Sequence, residues 1–311
     1  MSATTDLKGL DTTMKILMAT DGSVHAATAM LTASKLLRTD KAELDVVSVG
    51  EEPALVGPAS DVLLRYKKKS ASSTRKTLEE AQRLLSQLHV KTRGLVETGS
   101  PADKLLALSR NYDLTIVGAY GKHERKQPGL GPVASRLLQQ GRGNIMVGRE
   151  LVNERNFRVL VAIDSSESSF AATEMVHSLF DSRSLEVTLM HVIEMCWATS
   201  SSATAEDGES DASELAEYHQ QLERELRRTA NATMERALRR LGQWGIPASS
   251  VIKEGDPALE LCSEAEQGGY DLMIAGATGA SDVKHAVLGS VSLKLAWDSP
   301  CSVAIFRQAS S

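Results

Sequence analysis

Internal repetition constrains the fold of this 311-residue chain more than any other feature. Lys15–Asp21 (KILMATD) recurs as Arg158–Asp164 (RVLVAID), and Tyr112–Gly121 (YDLTIVGAYG) recurs as Tyr270–Gly279 (YDLMIAGATG). Since the spacing between matching stretches grows along the chain, the second copy contains a longer segment after its second strand. A chain of this length has room for about two domains. We therefore predict two homologous halves, residues 1–152 and 153–311.

Each half alternates short apolar runs with longer segments of helical periodicity. Short apolar runs are typical of strands buried on both faces. Strands separated by helices form βαβ units with right-handed crossovers. The pattern predicts an α/β fold with a parallel sheet in each half. Amphipathic helices are predicted over Thr74–Leu88 and, with a longer apolar face, from Leu215 to Leu241.

The stretch Gly276–Ser292 (GATGASDVKHAVLGSVS) connects the fourth strand of the second half to its last helix. Gly276 and Gly279 follow the apolar run, and Gly289 precedes two nearby serines. Glycines let the backbone approach a ligand closely and adopt a positive φ. Hydroxyls and unpaired N–H groups at a helix start attract anions, helped by the helix dipole. This stretch is predicted to cradle phosphate, the alternative being a glycine-rich turn without a ligand.

The equivalent stretch of the first half lacks the hydroxyls. Its glycines are Gly118, Gly121 and Gly131. Pro132 and Ala134 replace the two serines. Proline is tolerated at the first helical position but has no N–H. Because hydrogen bonds to charged groups contribute about 1.5–3 kcal/mol each, losing two or three is expected to weaken phosphate binding about a thousandfold or more.

The glycine motif carries a family resemblance. Gly276, Gly279, Gly289 and Ser290 fill every position of G-x2-G-x9-G-[ST], the pattern that nucleotide-binding universal stress proteins carry after their fourth strand. The chain therefore resembles a tandem form of that family. The resemblance implies two tandem doubly wound parallel five-stranded sheets with strand order 3-2-1-4-5, which are Rossmann-like and similar to adenine nucleotide alpha hydrolases. It implies that the halves pair through their fifth strands as an intramolecular pseudo-dimer, and it leaves a homodimer open.

The resemblance also assigns roles to residues. It implies that Asp164 contacts the ribose or adenine end of a nucleotide, although Asp164 is equally suited to cap the following helix. The implied ligand is ATP or a close adenine nucleotide, with or without a bridging Mg²⁺. The implied nucleotide-binding set is Asp164, Val192 (through its backbone), Gly276, Gly279, Gly289, Ser290, Val291 and Ser292. The corresponding degenerate set in the first half is Asp21, Val49, Gly118, Gly121 and Gly131.

Three functions are consistent with the sequence. The favoured one is an ATP-binding sensor or regulator of the stress response that holds nucleotide mainly in its second half. No general base, arginine finger or paired carboxylates accompany the motif, so slow ATP hydrolysis is the most that is expected. His191, a lone strand-end histidine, is better explained by packing than by catalysis, and no catalytic or metal-binding residue is assigned. The third function is a nucleotide-free interaction protein that recruits an unknown partner through the first half and the acidic, predicted-disordered stretch Ser200–Ser213.

Composition narrows the remaining classes. A net charge of −5 and 4% aromatic residues argue against a dedicated nucleic-acid surface. The N-terminus lacks an apolar signal core and no stretch is long enough to span a bilayer, so a cytoplasmic protein is expected. The basic runs Arg65–Lys69 and Lys122–Lys126 are interpreted as solvent-exposed. Cys196, Cys262 and Cys301 have no metal-ligand spacing and are interpreted as small buried apolar residues.

Overall fold

The computed structural model describes residues 13–51, 61–122, 129–153, 156–181, 184–194, 209–279 and 288–307. Both halves alternate strands and helices in the predicted order. The first half contains β1 (Met14–Ala19), α1 (Val24–Leu36), β2 (Ala42–Gly50), α2 (Asp61–Gln87), β3 (Arg93–Thr98), α3 (Pro101–Leu108), β4 (Leu114–Gly118), α4 (Pro132–Gln140) and β5 (Ile145–Gly148). The second half contains β6 (Phe157–Ala162), α5 (Glu167–Leu179), β7 (Leu185–Ile193), α6 (Glu209–Gln243), β8 (Ala248–Glu254), α7 (Pro257–Gly268), β9 (Leu272–Gly276), α8 (Ser290–Asp298) and β10 (Ser302–Phe306).

The strands form one continuous sheet in the order β3-β2-β1-β4-β5-β10-β9-β6-β7-β8. Within each half the neighbouring strands are parallel and follow the order 3-2-1-4-5, which confirms the predicted α/β class. The halves meet where β5 and β10 pair antiparallel, with Ile145 opposite Ile305 and Val147 opposite Val303. The predicted pairing of fifth strands is therefore present, and it joins the two five-stranded sheets into one.

The helices cover both faces of this sheet. Helices α1, α2, α5 and α6 pack on one face, and α3, α4, α7 and α8 pack on the other. Alternate strand residues point to opposite cores, as Ile16 and Met18 do relative to Leu17. Each core runs across both halves, so apolar packing joins the halves as well as building each one.

Two arginines that follow the fifth strands tie the halves together. Arg149 donates to the carbonyl oxygens of Ala296 at 2.7 Å and Cys301 at 3.2 Å. Its counterpart Arg307 donates to the carbonyl oxygen of Leu138 at 2.7 Å. Each guanidinium thus reaches the C-terminal part of the last helix of the other half, where the helix dipole favours positive charge. Burial lowers the pKa of both groups, but arginine stays charged in proteins.

The ends of α1 and α5 form a second junction between the halves. Leu37 and Phe180, which follow these helices at equivalent positions, pair as an isolated antiparallel bridge. His177 lies nearby on α5. Its pKa is lowered first by burial and then by the charges of Arg38 and Lys41 from the first half. The folded state at this junction therefore favours the neutral form of His177.

The two helices that precede β3 and β8 are longer than predicted. Helix α2 begins at Asp61 rather than Thr74, and α6 begins at Glu209. Residues 209–213 of the predicted disordered stretch are therefore helical, while residues 200–208 lie outside the described part. The 35 residues of α6 span about 52 Å, whereas the nine of β7 span about 30 Å. The sheet is too short to cover the whole helix, so Tyr218 on its predicted apolar face is 62% exposed.

Two further expectations concern surfaces. The run Arg65–Lys69 lies on α2, and its described side chains are exposed. Of the other basic run, Lys122 is described and exposed, whereas residues 123–126 lie outside the described part. None of the helices in the described ranges combines the length and apolar character that crossing a membrane requires.

Candidate functional site

The loop after β6 places Asp164 at the carboxyl ends of the central strands of the second half. Its Oδ1 accepts hydrogen bonds from the backbone N–H of Ser166, at 2.9 Å, and from the Ser166 hydroxyl. Ser166 caps α5, because its Oγ accepts from the N–H of Ser169 at 3.2 Å. The suggestion that Asp164 itself caps this helix is therefore wrong. The aspartate orients the capping serine and keeps its second carboxylate oxygen beside the turn that follows β9.

Gly276 ends β9 where that strand packs against the first turn of α5. A Cβ on Gly276 would lie 2.5 Å from Ser168 Oγ and 2.8 Å from the Ser168 carbonyl carbon. Gly118 is equally restricted, since its Cβ would lie 2.8 Å from the carbonyl carbon of His25. Neither glycine has a positive φ. Close strand–helix packing thus requires these glycines, in addition to any approach of a ligand.

A cluster of hydroxyl groups binds the turn after β9 to the start of α5. The Ser168 hydroxyl donates to the carbonyl oxygen of Thr278, and Ser166 Oγ lies 3.1 Å from Ser168 Oγ. A Cβ on Gly279 would lie 3.3 Å from Asp164 Oδ2. The turn therefore lies directly against the aspartate, as the topology of neighbouring β6 and β9 requires.

The start of α8 forms the opposite end of the site. Gly289 is the N-cap residue and has no side chain to offer, while its own N–H donates to a carbonyl of the turn after β9 at 2.8 Å. Ser290, Val291 and Ser292 follow as the first helical residues, whose N–H groups have no intrahelical acceptor. The buried Ser292 hydroxyl donates to the carbonyl oxygen of Gly276 at 2.6 Å. Because the Ser292 hydroxyl donates its proton within the protein, only the N–H group of Ser292 is left to make the predicted hydrogen bond to phosphate.

The end of β7 supplies the third wall. Val192 is half-buried and faces the cleft. His191 Nδ1 lies 2.8 Å from the carbonyl oxygen of Ile163. A carbonyl oxygen only accepts, so Nδ1 carries the hydrogen. The histidine thus ties β7 to the loop after β6, in keeping with the packing role expected from the sequence.

All eight residues predicted for the second half line one cleft of about 350 Å³. The strand order brings them together, because β6 and β9 are neighbours although more than a hundred residues separate Asp164 from Gly276. The cleft also has walls that sequence reasoning missed. These additional residues include Ser165, Ser169, Met190, Glu194, Pro257, Leu261 and Thr278. The internal repeat could have indicated several of them, because the equivalent residues of the first half line its cleft.

The five residues predicted for the first half line an equivalent but smaller cleft of about 140 Å³. Asp21 Oδ1 accepts from the N–H of Ser23 at 2.8 Å, and its Oδ2 accepts from the N–H of Lys122 at 2.9 Å. Tyr120 lines this cleft at the position of Thr278 in the other half. Pro132 is the first residue of α4 and removes one N–H group from the helix start. The architecture is therefore preserved while the phosphate-binding end is altered.

Neither a metal cluster nor a reactive thiol marks the described residues. They hold no group of three or more His, Cys, Asp or Glu side chains placed to bind a metal ion. Cys301 is buried, and burial raises its pKa to about 11. Burial also raises the pKa of the partly buried Cys262 thiol. Cys301 is thus buried as predicted, whereas Cys262 is only partly buried, and Cys196 lies outside the described part.

Comparison with known proteins identifies both halves. The model of the universal stress protein family matches residues 12–149 and 156–307. The universal stress protein YxiE of Bacillus subtilis is 30% identical over 150 residues, covering 48% of this chain and 98% of that protein. A universal stress protein of Mycolicibacterium smegmatis is 22% identical over 305 residues, covering 94% of this chain and 96% of its own length. The crystal structure of a universal stress protein from Archaeoglobus fulgidus has the same fold, with a TM-score of 0.66, 21% identity and coverage of 94% of this chain and 98% of that chain.

Proposed function

Since this chain belongs to the universal stress protein family, we propose that it is an ATP-binding regulator of the stress response, with its nucleotide site in the second half. Family membership makes an adenine nucleotide a reasonable ligand class. One universal stress protein, from Arabidopsis thaliana, is known with AMP bound. The choice of ATP and of the second half rests on the chemistry of the two clefts.

The start of α8 supports the proposal most strongly. A helix start without a capping side chain attracts an anionic group, because its N–H groups and the helix dipole both favour negative charge. Gly289 leaves the start of α8 uncapped by a side chain, and the exposed Ser290 adds a hydroxyl donor. In the first half Pro132 interrupts the same arrangement. The two halves therefore differ in the feature that phosphate binding needs.

The polarity of the cleft defines the orientation of the ligand. Asp164 at one end repels phosphate but accepts hydrogen bonds from ribose hydroxyls, as carboxylates do in dinucleotide-binding folds. Phosphate groups belong at the other end, against the N–H groups of Ser290, Val291 and Ser292. The base then lies along Val192. A ligand with a flat ring and sugar hydroxyls toward one end and phosphates at the other fits this order of groups.

Denaturing extraction of the freshly purified protein, followed by chromatography, tests the proposal directly. We expect close to one adenine nucleotide per chain. Gly279→Val fills the second cleft beside Asp164 and is expected to abolish the bound nucleotide. Gly121→Val is the matched control, because a Cβ there meets Asp21 Oδ2 at 3.2 Å, compared with 3.3 Å for Gly279 and Asp164.

Two results would contradict the proposal. Absence of nucleotide, together with no binding of added ATP, would favour an interaction protein that works without nucleotide. Equal loss in both valine variants would contradict the assignment to the second half. Phosphate release measured under saturating ATP separates a binding protein from a slow ATPase.

A further inference from the structure

The two clefts are alike at one end and different at the other. Asp21 and Val49 occupy the positions that Asp164 and Val192 have in the second half, and they line the first cleft in the same way. The Asp21 carboxylate also organises its loop as Asp164 does, through the N–H group two residues further on. The groups assigned above to base and ribose are therefore duplicated in the first half.

The phosphate end of the first cleft has been replaced by less polar groups. Pro132 lacks both the N–H group and the hydroxyl that Ser290 offers in the second half. Tyr120 stands where the second half has a threonine, and its ring meets the His25 ring edge-on at 5.2 Å. This aromatic pair lies at the aspartate end of the first cleft, where the second half has its hydroxyl cluster.

The charged groups in the described lining of the first cleft do not distinguish it from the second. Among its described lining residues, the charged side chains are Asp21 and Glu51, both acidic. Lys122 lies at the mouth, where its side chain passes over Gly22 and would meet a Cβ there at 3.1 Å from Nζ. The second cleft has an equivalent acidic pair at the same positions, so the preference against phosphate rests on the altered helix start and not on these charges.

The size of the first cleft limits its ligand to one ring system inside. Its volume of about 140 Å³ is less than half that of the second cleft, about 350 Å³. An apolar cavity of about 150 Å³ holds one benzene ring. Val49 and Leu105 contribute apolar side chains to this lining and Asp21 contributes a carboxylate, the kinds of group that a base and its sugar need.

We propose that the first cleft is a second ligand site that takes an unphosphorylated nucleoside, such as adenosine, and discriminates against the phosphorylated forms. The assignment of base and ribose contacts rests on the function proposed for the second half. The preference for an uncharged ligand rests on the first cleft alone. One chain would then bind two related ligands of different charge.

Calorimetric titration of the Gly279→Val protein, whose second cleft is filled, tests this proposal with adenosine and ATP as probes. We expect adenosine to bind one per chain, at least tenfold more tightly than ATP. Adding Gly121→Val is expected to abolish adenosine binding. Restoring a serine through Pro132→Ser is expected to raise ATP affinity at least tenfold while leaving adenosine affinity unchanged. Circular dichroism confirms that each variant is folded.

Two results would overturn the proposal. In the first, ATP binds the Gly279→Val protein as tightly as adenosine does or more tightly, which would show that Lys122 and its loop supply phosphate contacts. In the second, the folded Gly279→Val protein binds neither probe. ATP binding to the single Gly121→Val variant reports on the second cleft separately, so failure of the first-half site and failure of the proposed function give different results.

Discussion

Replacing Ser290 by proline tests whether the start of α8 binds phosphate without disturbing the fold. Proline prefers the first helical position, and it forces the preceding residue into an extended conformation. Gly289 already has φ −63° and ψ 155°, close to the −67° and 162° of Gly131 before Pro132. The first half thus contains a working example of the substituted helix start, and we expect the melting temperature to change little.

The expected loss of affinity follows from the groups removed. Ser290→Pro deletes one N–H and one hydroxyl, each a donor to a charged acceptor. Such hydrogen bonds contribute about 1.5–3 kcal/mol each, so the variant is expected to lose about 3–6 kcal/mol, or roughly a hundredfold to ten-thousandfold in Kd. Ser290→Ala deletes only the hydroxyl, and its expected loss is about ten- to a hundredfold.

Isothermal titration of nucleotide-free protein with ATP measures both losses, and thermal unfolding without ligand checks the fold. The graded order, wild type tighter than alanine and alanine tighter than proline, is the informative result. An ATP affinity within threefold of wild type for a proline variant of unchanged melting temperature would refute the reasoning, since phosphate would then contact neither group.

Three further perturbations test the fold around the site, each by urea unfolding. Arg149→Ala leaves buried carbonyl groups unpaired between the halves and is expected to lower the free energy of unfolding by about 2–4 kcal/mol. The control, Arg142→Ala at an exposed position, is expected to lower it by less than about 0.5 kcal/mol. Equal effects of the two substitutions would contradict the interface role of Arg149. The pKa of His177 is lowered in the folded state, mainly by burial. As the pH drops, the unfolded state therefore binds a proton before the folded state does, and the free energy of unfolding should fall below about pH 6.5. His177→Gln should reduce the dependence of the free energy of unfolding on pH in this range. An unchanged pH dependence would contradict the role assigned to His177. Gly276→Ala forces a Cβ into α5 and should cost about 2–4 kcal/mol without any ligand, whereas Gly242→Ala, with nothing within 4 Å, should stabilise by up to about 1 kcal/mol.

Local patterns in the sequence were sufficient for the order of elements, whereas the residues that share each cleft also required the repeat and the family resemblance. The repeat predicted the equivalence of Asp21 with Asp164, and the family resemblance supplied the strand order that brings Asp164 beside Gly276. Strands and glycine turns are defined by the spacing of a few neighbouring residues, so they can be identified from the sequence. The alignment of two copies then shows where one has diverged, as at Pro132.

Contacts between distant residues were beyond the reach of these patterns. Ser166 rather than Asp164 caps α5, because the aspartate turns toward the loop after β9, which only the folded chain brings near. The sequence explained Gly276 by the approach of a ligand, but it did not indicate that Ser168 packs directly against this glycine. The overhang of α6 depends on the length of the strands beneath it, so the exposure of Tyr218 could not be inferred from its apolar periodicity.

The junction of the halves gives the first half a structural role even where its cleft has diverged. Without β5, β10 would expose an unpaired edge of apolar residues, a known route to aggregation. Without Arg149, the end of α8 would lose a cation that donates a hydrogen bond to the Ala296 carbonyl oxygen across the junction. Pro132 and Tyr120 altered the first cleft, but β5 and Arg149 still make the contacts on which the second half depends. The first half therefore stabilises the element that carries the proposed phosphate site, whichever ligand its own cleft binds.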